Sequence, residues 1–394
     1  MSDRWLSCTI IATNSIDPVV VVGAGAAAQA AVIGLRRAGF DGRVVMVGRE
    51  PHPPYQRPPL SKRYLVGDLP RSAIFFPTPD AELRLGVEVV EIDPDRHHVR
   101  LDTDEQLTYG RLLLAPGARP RRLAGYEDRH HLRELDDADR LRALLEAGVK
   151  LHIVGAGFIG CEVAAGARAR GLEVVVYESL EQPLVRVLGA EVGAWLAEVH
   201  RSHGVDLRTG LSALPPLPPE TLVAVGAEPN QELAAAAGID CRNGILVDEL
   251  GRTNLPDVYA AGDGTRFWSP LYEAAIRVEH FQTAIRHGEA TGRSIAGQGR
   301  PFAEAPWFWS DQYDLNLQYV GGALPWDATL VRGRMGEPPF TVLYLREGRL
   351  VAAAGVNDAR TIGQLRRLIE ARVEVDPEQL ADPAIDLKGL APPR

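Results

Sequence analysis

The chain has little cysteine. Its 394 residues include three, Cys8, Cys161 and Cys241, and no two of them form a C-x-x-C or C-x4-C pair. Closely spaced cysteines are the usual source of a redox-active dithiol. Their absence argues against dithiol chemistry, and so few thiols without pairing favour a reducing cytoplasm.

Long apolar runs are also missing. No stretch of about 18 apolar residues occurs, so we expect no membrane-spanning segment. The first residues lack a basic region leading into an apolar stretch, so we expect no secretory signal and interpret residues 1–17 as a short extension. The net charge of −9 argues against non-specific binding of nucleic acid.

Metal-ligand spacing and common nucleophile motifs are absent as well. The chain has neither a G-x-S-x-G elbow nor a P-loop lysine. The neighbouring histidines join no cysteine or carboxylate cluster at ligand spacing, so we expect no metal site. These histidines are His97, His98, His130, His131, His200 and His203.

Two glycine fingerprints stand out against these absences. The first, VVVVGAGAAAQA, contains Gly23, Gly25 and Ala28 and is followed by Arg49 and Glu50. A buried strand, a tight turn of small residues and a new helix form a cradle for a pyrophosphate, because free N–H groups and the positive end of the helix dipole face the phosphates. Only Glu50 of the two later residues can accept a hydrogen bond from a ribose.

The second fingerprint, LHIVGAGFIGCE, contains Gly155, Gly157 and Gly160. Glu178 follows Gly160 by 18 residues, close to the spacing expected of an acid that binds a ribose 2′-hydroxyl. A carboxylate there repels a 2′-phosphate, so this site should prefer NADH to NADPH. A single motif of this kind could be an empty glycine turn, but two together indicate two dinucleotides and hydride transfer between them.

The residues around both fingerprints predict the same strand–helix–strand unit. We expect buried first strands because their residues are apolar and β-branched, helices with apolar residues at helical spacing, and second strands leading to the acids. The predicted ranges are strands 18–22 and 151–154, helices 26–38 and 158–170, and strands 43–47 and 173–177.

Three further segments could contribute to a site. PHPPYQRPPLSK, residues 51–62, is either a plain linker or a rigid holder of the cations Arg57 and Lys62. Buried strands are predicted at 112–114 and 222–225. The first is followed by the tight turn Ala115-Pro116-Gly117 and the second by Gly226. Residues 243–263 hold two strand signals and end at Gly262-Asp263, so they indicate a return to the first domain. The alternative for Asp263 is a turn residue or helix cap.

The last part of the chain differs in character. A helix is expected over 277–295, and from Pro301 onward aromatic and β-rich segments are followed by a helix over 361–372. No phosphate-binding turn occurs there, so this part predicts an α+β unit.

Seven segments, taken in order, resemble the FAD-dependent, NADH-dependent ferredoxin reductases that serve bacterial oxygenases. They are GAGAAA, PYQRPPLSK, LLLAPGARP, GAGFIGCE, VAVGAEPN, VYAAGD and PWFWSDQY. The resemblance runs from about residue 18 to the C-terminus. It implies an α/β, glutathione-reductase-like fold with two Rossmann-type nucleotide-binding domains and a C-terminal α+β domain. The implied domains are 1–117 with 244–301 for FAD, 118–243 for NADH, and 302–394.

The resemblance also implies site residues. Lys62, Glu162 and Trp309 would be catalytic, with Glu162 facing Lys62 and Trp309 near the flavin and nicotinamide. The implied FAD-binding residues are Gly23, Gly25, Ala27, Ala28, Glu50, Arg57, Lys62, Val89, Ala115, Gly117, Arg133, Gly262, Asp263 and Phe281. The implied NADH-binding residues are Gly155, Gly157, Phe158, Ile159, Gly160, Glu178, Arg186 and Gly226.

Three departures from the family pattern matter. Arg49 stands where the family usually has an acid, so Glu50 takes over the adenosine ribose or the contact is lost. Pro116 replaces a threonine and removes an N–H donor. The segment between Arg208 and Leu222 is short, and without the family's antiparallel meander we expect exposed apolar surface or a covering partner.

The implied activity is electron transfer from NADH through FAD to a [2Fe–2S] ferredoxin, and indirectly to an oxygenase of the P450 or Rieske type. The ferredoxin should dock on a basic patch, for which Arg286 and Arg293 are candidates unless they belong to a solvated helix face. Alternatives keep both cofactors but change the acceptor to rubredoxin, a quinone or dioxygen, or assign an NADH-responsive role like that of apoptosis-inducing factor. Monomer and homodimer both stay open.

Overall fold

The computed structural model describes residues 18–322 and 324–390. Cys8 and the expected N-terminal extension therefore lie outside the described residues. Within the described ranges, no helix is long and apolar enough to cross a bilayer.

The strands of the described residues follow in chain order. They are β1 Val19–Val22, β2 Val44–Gly48, β3 Glu82–Leu85, β4 Val89–Asp93, β5 His98–Leu101, β6 Gln106–Thr108, β7 Arg111–Leu114, β8 Ala118–Pro120, β9 Leu151–Val154, β10 Val174–Tyr177, β11 Val205–Arg208, β12 Leu222–Val223, β13 Ala227–Pro229, β14 Ile245–Val247, β15 Val258–Ala260, β16 Thr265–Ser269, β17 Ala274–Ile276, β18 Trp307–Gln312, β19 Leu315–Gly321, β20 Ala328–Arg334, β21 Glu337–Arg346 and β22 Arg349–Val356.

The α-helices are α1 Ala26–Arg37, α2 Leu135–Glu146, α3 Phe158–Ala169, α4 Val185–Ser202, α5 Glu232–Ala236, α6 Phe281–Ile295, α7 Ala359–Ala371 and α8 Pro377–Ala381. Short 3₁₀ helices span Pro58–Ser61, Arg71–Ile74 and Leu387–Leu390.

The first parallel sheet has the strand order β15-β7-β1-β2-β3. Its central strand β1 is buried throughout, as the unbroken valine run predicts for a strand covered on both faces. Helix α1 packs on the sheet beside α6. Strand β15 pairs in parallel with β7, so the chain returns to this sheet about 140 residues after leaving it, as residues 243–263 predict.

The second parallel sheet has the order β11-β10-β9-β12. One face packs into a large core with α3 and α4. The other face carries Val154, Val175, Tyr177 and Val223, all buried, and the expectation of exposed apolar surface there is wrong. The proline-rich connector 211–220 runs across this face, with Leu217 inserted and only 7% exposed. The connector thus covers this face itself, with Leu123 and Tyr126 packed beside it.

The third sheet is antiparallel, with the order β18-β19-β22-β21-β20, and α7 packs on one face. Its opposite face joins the core of the second sheet through Leu317, Phe340 and Tyr344. Strand β18, which contains the WFWSDQ segment, lies at the edge of this sheet and next to α3.

One predicted boundary is wrong for a physical reason. The sequence predicts a helix over 277–295, but α6 begins at Phe281 and is preceded by β17. Arg277 to His280 line a cavity and belong to no helix or strand, and His280 at the N-cap position is extended, with φ −116° and ψ 130°. Contact with the cavity therefore overrides the helical pattern of these four residues.

Candidate functional site

A large cavity lies where the two parallel sheets and the edge of the third sheet meet. Its volume is about 940 Å³, at the upper end of the range for ligand pockets. Within the described residues, no three histidine, cysteine or carboxylate side chains come together as metal ligands. A cavity of this size can hold a large organic ligand.

Most of the predicted site residues line this cavity. They are Gly23, Gly25, Ala27, Glu50, Arg57, Lys62, Val89, Ala115, Gly117, Arg133, Phe158, Ile159, Glu162, Arg186, Gly262, Asp263, Phe281 and Trp309. The predicted residues outside its lining are Ala28, Gly155, Gly157, Gly160, Glu178 and Gly226.

The first glycine loop is shaped by its contact with the exit of β7. Gly23 has φ +112°, and a Cβ atom built on it would lie 2.1 Å from the Ala115 carbonyl oxygen. Only glycine fits this close approach and this backbone conformation. Helix α1 then begins at Ala26, with Gly25 as N-cap, so its free N–H groups face the cavity. Ala28 is fully buried and packs in the core behind the loop.

The second glycine loop repeats this geometry. Gly155 has φ +99°, and its Cβ would lie 2.4 Å from the Ala224 carbonyl oxygen. Helix α3 begins at Phe158, and Ile159 is 41% exposed at its first turn. The Glu178 carboxylate accepts hydrogen bonds from the backbone N–H groups of Ala156 (2.7 Å) and Leu180 (2.9 Å). The acid is thus fixed beside the turn of its own fingerprint.

The first acid is held in a different way. Glu50 accepts hydrogen bonds from the Tyr55 hydroxyl (2.5 Å) and from the Arg57 guanidinium (2.5 Å). Burial raises the pKa of Tyr55, so this hydroxyl stays a donor. Arg49 turns to the Glu134 carboxylate, also at the cavity. Glu50 thus lies in the cavity lining with both of its carboxylate oxygens held by protein donors, while Arg49 is paired with Glu134.

Unpartnered polar atoms mark another part of the cavity. Arg133 and Asp263 form an ion pair of 2.8 Å, yet Arg133 Nε and Asp263 Oδ1 are buried without a partner among the described residues. The Nδ1 atom of His280 is in the same situation. Burial lowers the pKa of His280 to about 4, so its ring is neutral near pH 7. Buried polar atoms are normally hydrogen-bonded, so this set fits a polar ligand.

A buried ion pair stands where the cavity meets α3. Lys62 Nζ lies 2.7 Å from Glu162 Oε2, and the two side chains are 12% and 4% exposed. The resemblance implies that Glu162 faces Lys62, and this distance agrees with that expectation. Lys62 ends the 3₁₀ helix Pro58–Ser61, so the prolines of the 51–62 segment set its position. Hydroxyl groups of Ser61 and Ser310 also donate to the Glu162 carboxylate.

Aromatic side chains border the cavity near this pair. The ring centroids of Phe281 and Trp309 are 6.3 Å apart in an edge-on arrangement, and Trp309 Nε1 donates to Asp311. Phe158 and Phe308 meet edge-on at 4.7 Å. These rings provide flat apolar surface on which a planar ligand can lie.

Several cavity residues were missed by the sequence argument. Tyr55 and Ser61 lie inside the proline-rich segment and could have been found there. Asn230, at the end of the VAVGAEPN segment, donates to the Pro116 carbonyl oxygen (2.9 Å) and links the exits of two strands. His280 belongs to no motif that the sequence argument used, and only the fold places it at the cavity.

Comparisons with known proteins agree with this geometry. A family model described as pyridine nucleotide-disulphide oxidoreductase matches residues 17–213 and 220–288, and one described as reductase C-terminal matches residues 307–391. The ferredoxin–NAD(+) reductase component of the anthranilate 1,2-dioxygenase system of Burkholderia cepacia is 39% identical to this chain. The alignment is 404 positions long, gaps included, and covers 95% of this chain and 99% of that protein.

Putidaredoxin reductase of Pseudomonas putida is 35% identical and covers 96% of this chain and 97% of its own length. The crystal structure of the covalent putidaredoxin reductase–putidaredoxin complex matches with a TM-score of 0.91 at 35% identity, covering 95% of this chain and 98% of that chain. The resemblance and the predicted fold class are confirmed. The chain therefore belongs to the pyridine nucleotide-disulphide oxidoreductase family, among its FAD- and NADH-dependent ferredoxin reductases with a reductase C-terminal domain.

Proposed function

We propose that this chain oxidises NADH and, through FAD, reduces a [2Fe–2S] ferredoxin that supplies an oxygenase of the P450 or Rieske type. The balanced reaction takes one NADH and two oxidised ferredoxins to NAD+, one proton and two reduced ferredoxins. The observation that carries the proposal is the cavity lined by residues of the first glycine loop, the start of α3 and the Lys62–Glu162 pair.

The cavity fits FAD. Gly23, Gly25 and Ala27 would face its pyrophosphate, with Glu50 toward the adenosine ribose. Arg133 Nε and Asp263 Oδ1, which have no hydrogen-bond partner among the described residues, would bind the ribityl–phosphate part of FAD. When bound, FAD supplies the chemistry of accepting a hydride and releasing electrons singly.

The NADH site would be built on α3 and the second glycine loop. Phe158, Ile159 and Arg186 line the cavity, and exposure of the large apolar Ile159 supports contact with a ligand there. Glu178 would favour NADH because its carboxylate repels a 2′-phosphate. Gly155, Gly157, Gly160 and Gly226 would shape the turn.

Lys62 and Glu162 would act by position and charge. The Lys62 ammonium supplies a fixed positive charge in a largely water-free site, where such a charge is most effective. Glu162 orients it, and Trp309 closes the aromatic border. We also propose the domain limits 1–117 with 244–301, 118–243 and 302–394, and a cytoplasmic location in line with the scarce, unpaired cysteines.

The acceptor can be tested by turnover with different carriers. We expect rapid NADH-dependent reduction of a [2Fe–2S] ferredoxin and slow consumption of NADH in air. No cysteine is among the described residues that line the cavity, which argues against peroxide-type chemistry there. If rubredoxin, a quinone or dioxygen were reduced faster than ferredoxin, that carrier would be the acceptor instead. Negligible turnover on every carrier, with a long-lived charge-transfer absorbance, would instead support an NADH-responsive role.

Ferredoxin docking gives a second prediction. Arg286 is exposed and Arg293 half-buried on α6, whose first residue lines the cavity. They approach Glu304 (3.8 Å) and Glu289 (3.4 Å) respectively. We expect kcat/KM for ferredoxin to fall with ionic strength, and Arg286→Glu to lower it roughly tenfold at low salt. Turnover with ferricyanide should be unchanged. As a control, Arg349→Glu reverses the charge of an exposed, ion-paired arginine that is not part of the cavity lining. Ferredoxin kinetics without salt dependence would refute the patch.

A further inference from the structure

A chain of buried hydrogen bonds ends on the Glu162 carboxylate. Ser310 Oγ lies 2.6 Å from Glu162 Oε1, and Gln312 Nε2 lies 3.1 Å from Ser310 Oγ. Gln312 Oε1 is 3.0 Å from His200 Nε2, and His200 Nδ1 is 2.9 Å from the Tyr313 hydroxyl. Beyond this hydroxyl, the Tyr313 ring stacks on His203, at the exposed end of α4.

The direction of every bond in this chain follows from the first. Glu162 is paired with Lys62 and as a carboxylate can only accept, so Ser310 must donate to it. The oxygen of Ser310 then accepts from the Gln312 amide, and the Gln312 carbonyl oxygen is left to accept from His200. His200 thus carries its proton on Nε2, and its Nδ1 accepts from Tyr313. Burial lowers the pKa of His200 to about 4, which agrees with a neutral ring.

Such an ordered chain differs from isolated polar contacts. Glu162, Ser310, Gln312 and His200 are each at most 5% exposed, so water does not compete for these bonds. Hydrogen bonds that all donate in the same direction polarise one another. Here every bond from Tyr313 to Ser310 donates toward the Glu162 carboxylate. A carboxylate with fixed donors is held in one rotamer: its Oε1 atom accepts from Ser310, and its Oε2 atom accepts from Ser61 and pairs with Lys62.

The chain also joins two parts of the fold. Glu162 lies on α3 and His200 on α4, both packed on the second parallel sheet, whereas Ser310 and Gln312 lie on β18 at the edge of the third sheet. Strand alternation places Ser310 and Gln312 on the same face of β18.

We propose that Ser310, Gln312 and His200 are positioning residues, which hold the Glu162 carboxylate in the orientation that pairs with Lys62. The proposal rests on the function proposed above for the Lys62–Glu162 pair. It makes the contact between β18 and the two helices part of the hydride-accepting site rather than a packing interface alone.

Three variants distinguish the effect of hydrogen-bond direction on Glu162 from the effect of lost packing. Ser310→Ala removes the donor to Glu162. Gln312→Glu keeps the shape, but as a carboxylate it has no N–H to donate and competes with Glu162 for the single Ser310 hydrogen. Gln312→Met removes the same contacts without adding an acceptor, and Ser310 stays free to donate to Glu162. Gln364→Glu on α7 is a control that makes the same chemical change outside the chain.

We expect Ser310→Ala and Gln312→Glu to slow flavin reduction at saturating NADH by roughly 10- to 100-fold, the effect of losing a hydrogen bond to a charged group. The NADH concentration for half-saturation should be unchanged. Gln312→Met removes the bond that fixes the Ser310 oxygen but leaves Ser310 able to donate, so it should slow flavin reduction less than Gln312→Glu does. Gln364→Glu should stay near the wild-type rate. Crystal structures of Ser310→Ala and Gln312→Glu should show Lys62 Nζ and Glu162 separated beyond salt-bridge distance.

The outcomes are distinguishable. Wild-type rates and an intact Lys62–Glu162 pair in both Ser310→Ala and Gln312→Glu would overturn the positioning role. Equal loss of rate in Gln312→Met and Gln312→Glu, in step with their thermal unfolding midpoints, would also overturn it and leave only packing. If Lys62→Met itself reduced its flavin at the wild-type rate, the proposed function of the pair would fail instead.

Discussion

Lys62→Met is expected to slow the reduction of bound flavin by NADH by at least about 100-fold, the effect seen when one preorganised electrostatic group is removed from a reaction site. The substitution keeps an unbranched apolar stem up to Cε but removes the charged Nζ beside Glu162. Stopped-flow measurement of flavin bleaching at saturating NADH tests this directly. Reduction by dithionite should be unaffected, because it does not depend on the NADH site.

Substitutions in the Lys62–Glu162 pair should affect the free energy of unfolding and the rate of flavin reduction differently. Lys62→Met leaves Glu162 as a buried charge with no cation, which costs about 3–5 kcal/mol in the free energy of unfolding. Adding Glu162→Gln removes that charge, so the double variant should recover most of the stability but none of the rate. Urea unfolding of the three proteins measures the first effect. A double variant with wild-type flavin reduction would show that the pair serves only the fold.

Gly23→Ala is expected to yield colourless protein. The added Cβ would lie 2.1 Å from the Ala115 carbonyl oxygen, and the residue would be strained at φ +112°. The turn must move, so both the exit of β7 and the phosphate cradle are lost, with a destabilisation of about 3 kcal/mol or more. Flavin content after purification with excess FAD, together with urea unfolding of the apoprotein, measures both effects.

Gly25→Ala is the matched comparison in the same loop. No atom lies within 4 Å of its added Cβ, and its φ of −91° suits alanine. The apoprotein should therefore unfold as the wild type does. The methyl group would occupy the cavity side of the α1 N-terminus, so affinity for FAD should fall. If Gly25→Ala bound FAD normally, the pyrophosphate would not lie on this turn.

Local patterns predicted the two nucleotide cradles well. The strands and helices around Gly23 and Gly155 lie within one residue of the expected bounds, because burial on both faces and the glycine turn act over a few neighbouring residues. Strand 222–225 was shorter than predicted, ending at Val223. The carbonyl of Ala224 instead lies against Gly155, a contact between distant segments.

Other expectations depended on contacts that a pattern does not contain. The helix predicted from Arg277 starts at Phe281, because the preceding residues line the cavity. The short 211–220 connector was expected to leave apolar surface exposed or to require a covering partner, yet the connector's own Leu217 packs on this face. In both cases the partner of a segment decides its conformation, and that partner is far away in the chain.

The sequence by itself determined that this protein has two dinucleotide cradles, since small residues at fixed spacing are a local requirement of a turn that approaches phosphate. Only the tertiary structure decided what lies between the cradles. Lys62 and Glu162 are 100 residues apart, and Ser310 is a further 148 residues along the chain. Packing of three sheets brings them together in one buried network, and no local preference of any of these residues specifies that meeting.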